Sequence, residues 1–194
     1  MDQVTFIAAA LSLLATPGPT NTLLATSGAE TGLCRSLPLL GAELGGYLLA
    51  ILLLRALIGP LMAANPNFAM ALHGAVVVYL LYLAFALWRR GARQINAGGA
   101  ITFPRVFVTT LLNPKAIIFS FTLLPKRGDI GELAPWLSML SLQIVTVGLG
   151  WILLGHMLRG RFREPGFAHV GYRISALILV GLAGMIGGHS LSLA

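Results

Sequence analysis

Two proline motifs interrupt apolar segments of the chain and carry the polar groups best suited to bind a ligand. The first is Pro17-Gly18-Pro19-Thr20-Asn21 and the second is Asn113-Pro114-Lys115. Proline removes a helix hydrogen bond and clashes with the preceding turn, so each motif predicts a kink or a break. The first break would expose N–H groups at the start of the following half-helix, where the helix dipole favours a carboxylate.

Lys115 is the strongest single candidate. It lies ten residues from both Arg105 and Pro125, so in a helix it would be about 15 Å from either end of its apolar segment. A charge at such a depth in a bilayer costs at least about 2.5–3.5 kcal/mol, so the amine should face a wet cavity or a partner. It would attract a carboxylate or change its protonation state. Alternatively, it would bond carbonyl groups freed at the break and hold the helix together.

Three further side chains have two interpretations each. The amides of Asn21 and Asn113 would either bind a ligand or satisfy backbone groups that proline leaves unpaired. Glu43 is the only acid inside a long apolar segment; it would pair with a cationic group or carry a proton, or else reach the interface or pair with Arg35. The sequence thus nominates nine substrate-binding residues: Pro17, Gly18, Pro19, Thr20, Asn21, Glu43, Asn113, Pro114 and Lys115.

The composition predicts that these residues lie in a membrane protein. Of the 194 residues, 57% are hydrophobic and 10% are charged, whereas soluble domains have about 25% charged residues. A soluble globule with so few charges would expose large apolar patches, and a disordered chain would need low hydrophobicity. Six segments have the roughly 20 apolar residues that a helix needs to cross a bilayer: 3–27, 37–58, 67–88, 104–125, 133–157 and 171–192.

The charges between these segments predict their orientation. The loops after the first, third and fifth segments, together with the first few residues of the segments that follow them, carry nine Lys and Arg residues, against two in the other two loops. Cytoplasmic loops are enriched in these residues, so we expect these three loops in the cytoplasm and both termini in the periplasm. This distribution accounts for the net charge of +7. We therefore expect a lipid bilayer, and no nucleic acid, as the macromolecular surroundings of the chain.

The proline motifs also divide the chain into similar halves. Pro17 and Pro19 lie 97 and 95 residues before Pro114, and half the chain is 97 residues. We predict an all-α integral membrane protein with a single domain, 1–194, and six transmembrane helices. They would form two inverted three-helix repeats, about 1–95 and 96–194, in which helices 1 and 4 are broken. Interrupted helices at matching positions of inverted repeats indicate a transporter site near the bilayer midplane.

The chain resembles the LysE/RhtB family of bacterial amino-acid exporters. The resemblance rests on Pro17-Gly18-Pro19, on the spaced glycines of the second segment and on Asn113-Pro114-Lys115-Ala116. A third-segment run, Gly74-Ala75 through Tyr79-Leu80-Leu81-Tyr82-Leu83-Ala84, is also similar. The resemblance covers essentially the whole chain. This sequence departs from the pattern at Thr20, where an asparagine is common, and at Tyr47, where an acid often follows Gly46.

The resemblance implies efflux of an amino acid or a related small metabolite across a bacterial inner membrane. It also implies that transport is driven by exchange with an ion gradient, without ATP. Both a monomer and a homo-oligomer are compatible with the resemblance. An ion or metal transporter on the same scaffold is the alternative, but it would need clusters of carboxylates or histidines inside the bilayer. An intramembrane enzyme or redox carrier would need paired catalytic groups or thiols, and Cys34 is alone. We therefore expect no enzyme activity, no cofactor and no metal site.

Overall fold

A computed structural model describes residues 2–89, 100–125 and 130–158, together with Leu177, Val180, Gly181 and Gly184. Over these residues the chain is helical and contains no strand. The helices are α1 (Gln3–Ala15), α2 (Pro19–Thr31), α3 (Leu33–Ser36), α4 (Pro38–Ala64), α5 (Pro66–Arg89), α6 (Phe103–Leu111), α7 (Lys115–Ile118) and α8 (Ile130–Met157), and a π-helical turn, Phe119–Leu123, continues α7.

Several helices are long and apolar enough to cross a membrane. Leu33–Leu61 and Gly131–Met157 each qualify alone, and Phe103–Leu111 with Lys115–Leu123 forms a third span if this bent pair is counted as one. These stretches overlap the predicted segments 37–58, 133–157 and 104–125, so the prediction of a helical fold with apolar helices long enough to cross a membrane is confirmed for the described residues.

The six-span arrangement as a whole stays a prediction. The first predicted segment is divided between α1 and α2, and the third coincides with α5. The sixth predicted segment, 171–192, lies outside the described residues except for four positions. The charged loops around 90–99 and 159–173 also lie outside them.

Both predicted helix breaks are present. α1 ends at Ala15, and α2 begins at Pro19 after Gly18, whose backbone is extended with φ −153° and ψ 177°. Proline fits this first helical position because its missing N–H would have no partner within the helix there. The second break separates α6 from α7, and the two halves of that span are bent by 50°. The helices are therefore interrupted at both proline motifs. We refer to α1 with α2, and to α6 with α7 and its π-helical turn, as the first and second broken spans; of the two, the second is long and apolar enough to cross a membrane as a bent pair.

Contacts along the helices give the relative directions of the spans. Phe6 packs edge-on against Trp136 with ring centroids 5.0 Å apart. Farther along both elements, Ala25 of α2 packs directly on Gly155 of α8. Residue numbers rise together on the two sides, so α1 and α2 run parallel to α8.

The second broken span runs the opposite way to the first. Lys115 reaches Thr16, whereas Asn113, two residues earlier, reaches Thr20. Residue numbers rise on one side as they fall on the other, so the α6–α7 span is antiparallel to the α1–α2 span. The two broken helices therefore cross at their breaks.

Glycines allow the broken first span to approach α8 closely. A Cβ atom added to Gly28 would collide with the carbonyl of Ile152, and one added to Gly155 would collide with the carbonyl of Ala25. Small residues at such positions let membrane helices pack backbone to backbone. This contact fixes α2 against α8 just beyond the first break.

Candidate functional site

The two helix breaks meet through Lys115. Its Nζ atom donates a hydrogen bond to the carbonyl oxygen of Thr16 at 2.6 Å and lies 3.5 Å from that of Leu14. The last carbonyls of a helix have no partner within it, and here they belong to the C-terminal end of α1. The lysine is 6% exposed. The amine thus bonds freed carbonyls, as one of its two interpretations from the sequence requires, but these carbonyls belong to the other broken span.

Asn21 binds the same carbonyl pair from within the first span. Its Nδ2 atom donates to the carbonyl oxygens of Leu14 at 2.7 Å and Thr16 at 2.9 Å. Of the two interpretations of this amide, the contacts in this structure match the one in which it satisfies backbone groups near the prolines. Asn21 and Lys115 therefore converge on one carbonyl cluster, which stabilises the open end of α1.

Asn113 joins three helices at the centre of the junction. Its Nδ2 atom donates to the Thr20 hydroxyl at 3.2 Å and to the Tyr47 hydroxyl at 3.1 Å. Its Oδ1 atom accepts from the backbone N–H of Lys115 at 3.1 Å. The Thr20 hydroxyl also lies 3.1 Å from that of Thr110. This network connects α2, α4 and the second broken span.

The prolines and Gly18 contribute through the backbone. Pro19 and Pro114 lie at the starts of α2 and α7, and Pro17 lies in the connection after α1. A Cβ atom added to Gly18 would be 3.5 Å from Nζ of Lys115. The lysine amine thus lies against the extended backbone of the first break.

Glu43 is the member that lies apart from this network. It is 1% exposed, and its Oε2 atom has no hydrogen-bond partner. Its carboxyl group packs against Gly148 of α8, where any Cβ atom would collide with Oε2. The alternative that this side chain reaches the interface is wrong, because the side chain is buried and its carboxyl group packs on α8. Arg35, the other partner considered, is exposed.

Glu43 nonetheless belongs to the same region. It lies one helical turn before Tyr47, which receives the hydrogen bond from Asn113. This region therefore contains a carboxyl group and an amine, both buried among several helices.

Arg55 of α4 binds the end of the second broken span. Its Nη1 atom donates to the carbonyl of Ser120 at 2.9 Å and Nη2 donates to that of Pro125 at 2.8 Å. Ser120 lies in the π-helical turn and Pro125 follows that turn. The last carbonyls of a helix have no partner within it, so the guanidinium group satisfies acceptors at this helix end.

Among the described residues, no group of three or more His, Cys, Asp or Glu side chains could hold a metal ion. The polar groups at the junction are instead amides, hydroxyls, one ammonium and one carboxyl group. Such a set can bind a small zwitterion, with its carboxylate at the lysine and its ammonium at the glutamate.

Most of the chain matches one known protein family. The family model of the LysE type translocator matches residues 11–187. The chain belongs to the LysE type translocator family. The expected family membership is therefore confirmed, and both helix breaks of this LysE type translocator lie within the matched region.

Curated relatives of this translocator are efflux proteins. The chain is similar to a cysteine/O-acetylserine efflux protein of Klebsiella pneumoniae, at 27% identity over 90% of this chain and 91% of the relative. It is also similar to a cysteine/O-acetylserine efflux protein of Salmonella typhimurium, at 26% identity over 78% of this chain and 80% of the relative. No solved structure matches the chain. Family and relatives indicate a multi-pass membrane transporter rather than an enzyme.

Proposed function

We propose that this translocator is a secondary transporter that exports a small amino acid or a closely related metabolite across the bacterial inner membrane, in exchange with an ion gradient. Family membership and the printed names of the relatives support the amino-acid class. The observation that carries the proposal is the crossing of two broken spans at the buried amine of Lys115, which binds the carbonyls of Thr16 and Leu14.

The binding of a substrate would follow from the charges at this junction. In the conformation described, neutral carbonyl groups accept the hydrogen bonds of the Lys115 ammonium. A substrate carboxylate is a stronger acceptor for a cationic donor than a neutral carbonyl is. We therefore assign the carboxylate of the substrate to Lys115, beside the N-terminal end of α2 and the side chains of Thr20, Asn21 and Asn113. Pro17, Gly18, Pro19 and Pro114 shape the backbone of this site.

In the proposed site, Glu43 would bind the ammonium group of the substrate. A carboxyl group buried without a partner must be neutral or paired with a cation. The ammonium group of an amino acid would supply that cation, and a proton would neutralise the carboxyl group after the substrate leaves. In this scheme Glu43 holds either a proton or substrate, which is the requirement for exchange.

The overall arrangement that we propose has six spans in two inverted repeats, about 1–95 and 96–194, with both termini in the periplasm. The antiparallel crossing of the two broken spans and their matched proline motifs support it. In such folds one repeat moves against the other around a fixed site. The Lys115 contact would open and close with that movement, because its donor and its acceptors lie on different repeats.

Export from loaded cells tests the proposal. Cells expressing the wild type should release O-acetylserine or cysteine faster than cells with an empty vector, and Lys115→Met should abolish most of this difference. The loss of one charge-assisted hydrogen bond, about 1.5–3 kcal/mol, predicts a decrease of about ten- to a hundredfold. The matched control is Thr146→Val, because the Thr146 hydroxyl is exposed and donates to its own helix at the carbonyl of Leu142. Equal release by Lys115→Met and the wild type would refute the site.

A further inference from the structure

We propose that Gln143 of α8 determines the specificity of the substrate site. Its amide would hydrogen-bond the side chain of the substrate and so select α-amino acids whose side chains are short, uncharged and polar. This inference rests on the proposed function and extends it to a residue outside the two proline motifs. It assigns the selection among amino acids to α8, whereas Lys115 and Glu43 bind the charged groups that all amino acids share.

The amide of Gln143 is buried without hydrogen bonds. The residue is 7% exposed, and neither Nε2 nor Oε1 has a partner. Buried polar groups in native proteins are almost always paired, and an unpaired amide destabilises the fold. An amide that lacks both its donor and its acceptor interactions is therefore best explained by a ligand or water that occupies this position during function.

The neighbouring polar residues of α8 differ in this respect. The hydroxyl of Ser141 donates to the carbonyl of Leu137 at 2.7 Å, and that of Thr146 donates to the carbonyl of Leu142 at 2.7 Å. Both are satisfied by their own helix, as is usual for hydroxyls in membrane helices. The amide of Gln143 forms no such hydrogen bond within its own helix, which distinguishes it from Ser141 and Thr146.

Gln143 lies on the face of α8 that packs against the first broken span. Residues three, four and seven positions apart share a helix face, and Leu140, Val147 and Trp136 have this spacing from Gln143. All three pack in the core cluster that includes Leu13 and Leu14 of α1. The amide therefore lies on the face of α8 that packs into this core, which the first broken span lines together with α4 and α7.

The depth of Gln143 matches that of the Lys115 contact. Trp136 packs on Phe6, and α1 runs parallel to α8. Gln143 is seven residues beyond Trp136, just as Leu13 is seven residues beyond Phe6, or about 10.5 Å along each helix. Gln143 is thus level with Leu13 and Leu14, and the Leu14 carbonyl accepts hydrogen bonds from Asn21 and Lys115.

The same helix also borders the carboxyl group of Glu43. Gly148, against which that group packs, lies five residues beyond Gln143, or about 7.5 Å along α8. Lys115, Glu43 and Gln143 thus come from three elements around one level of the bundle. They offer an ammonium, a carboxyl group and a neutral amide, which are complementary to the carboxylate, the ammonium and an uncharged polar side chain of one amino acid.

The proposal predicts that removal of the Gln143 amide lowers substrate selectivity without lowering the stability of the fold. Gln143→Met keeps the length of the side chain but removes both unpaired polar atoms. A site that hydrogen-bonds its substrate rejects an analogue that lacks the polar group, and loses this discrimination when its own group is removed. Because nothing in the folded protein pairs with the amide, its removal should leave thermal stability unchanged or increase it, as is typical of residues kept for function.

Efflux from proteoliposomes, measured with one polar and one apolar probe of similar length, tests this inference. Vesicles with wild-type protein, Gln143→Met or the control Ser141→Ala are loaded with O-acetylserine and norleucine. We expect the wild type and Ser141→Ala to release O-acetylserine at least about tenfold faster than norleucine. We expect Gln143→Met to lower this ratio about tenfold and to unfold at the same temperature as the wild type or higher.

Two results would overturn the assignment to Gln143 while the proposed function stands. One is an unchanged ratio of the two substrates in Gln143→Met. The other is a decrease in the efflux rates of both substrates by the same factor, together with a lower unfolding temperature. This result would show that the residue has a structural role. If wild-type vesicles released neither probe faster than protein-free vesicles, the proposed function itself would fail, and the role of Gln143 with it.

Discussion

The ammonium group of Lys115 lies 2.6 Å from the carbonyl oxygen of Thr16, 99 residues away in the chain. The contact joins the start of one half-helix to the end of another across two different spans. The first break has carbonyl groups without partners in their helix, and the second break has a buried cation. The cation of the second break therefore donates to the carbonyls of the first. The geometry explains how a lysine is tolerated at the middle of an apolar segment.

Asn113 should stabilise the junction through its amide. Asn113→Leu leaves the N–H of Lys115 and the hydroxyls of Thr20 and Tyr47 without this partner. We expect the free energy of unfolding in detergent to fall by about 1–3 kcal/mol. Tyr47→Phe combined with Asn113→Leu should show a coupling energy of about 0.6 kcal/mol, typical of a hydrogen bond between membrane helices. Fully additive effects of the two substitutions would contradict the contact.

The close contact of α2 with α8 should depend on Gly155. Gly155→Ala forces a methyl group against the carbonyl of Ala25, and overpacking of this kind costs about 1–3 kcal/mol. The matched control on the same helix is Gly150→Ala, because a Cβ atom at Gly150 meets nothing within 4 Å. We expect the control to change stability by less than about 0.5 kcal/mol. Thermal unfolding of both variants measures the difference, and equal unfolding temperatures would refute the contact.

Glu43 should be required for exchange of substrate with protons. Vesicles loaded with O-acetylserine should become more acidic inside as the wild-type protein exports substrate, and a pH-sensitive dye in the lumen reports this. Glu43→Gln keeps the shape of the side chain but cannot pair as an anion with an ammonium group. We expect substrate release and acidification to fall together, by about ten- to a hundredfold. Acidification at the wild-type rate in Glu43→Gln would exclude this carboxyl group as the exchange site.

Cys34 offers a direct test of orientation, because it is the chain's single cysteine and its side chain is exposed. It lies in α3, between the first two predicted spans. We expect a membrane-impermeant maleimide to leave it unlabelled in intact cells and to label it after permeabilisation. The matched variant Cys34→Ser with Asn65→Cys places the thiol at an exposed position after α4, and it should be labelled in intact cells. The reverse pattern would invert the proposed topology.

The sequence was sufficient to predict features with local causes. Proline removes a hydrogen bond wherever it lies in a helix, so both breaks followed from Pro19 and Pro114 without knowledge of packing. The depth of Lys115 followed from its distance to the ends of its apolar segment. Most of the proposed site was nominated in this way.

Features that depend on packing between helices were not predictable. Arg55 binds the carbonyls of Ser120 and Pro125, and the π-helical turn that contains Ser120 has no clear signature in the sequence. Tyr47 and Gln143 have ordinary positions in apolar segments. Their importance lies in what faces them from other helices, and a hydropathy pattern does not specify those neighbours.

The crossing of the two breaks is the central claim, and a reversible cross-link tests it most directly. Thr20 and Thr110 have hydroxyl oxygens 3.1 Å apart, so Thr20→Cys with Thr110→Cys in a Cys34→Ser background should form a disulfide under mild oxidation. We predict that oxidation abolishes O-acetylserine efflux in this variant, that reduction restores it, and that neither single-cysteine control responds. Failure of the folded, transport-active double variant to cross-link, or efflux at the full rate from cross-linked protein, would contradict the account.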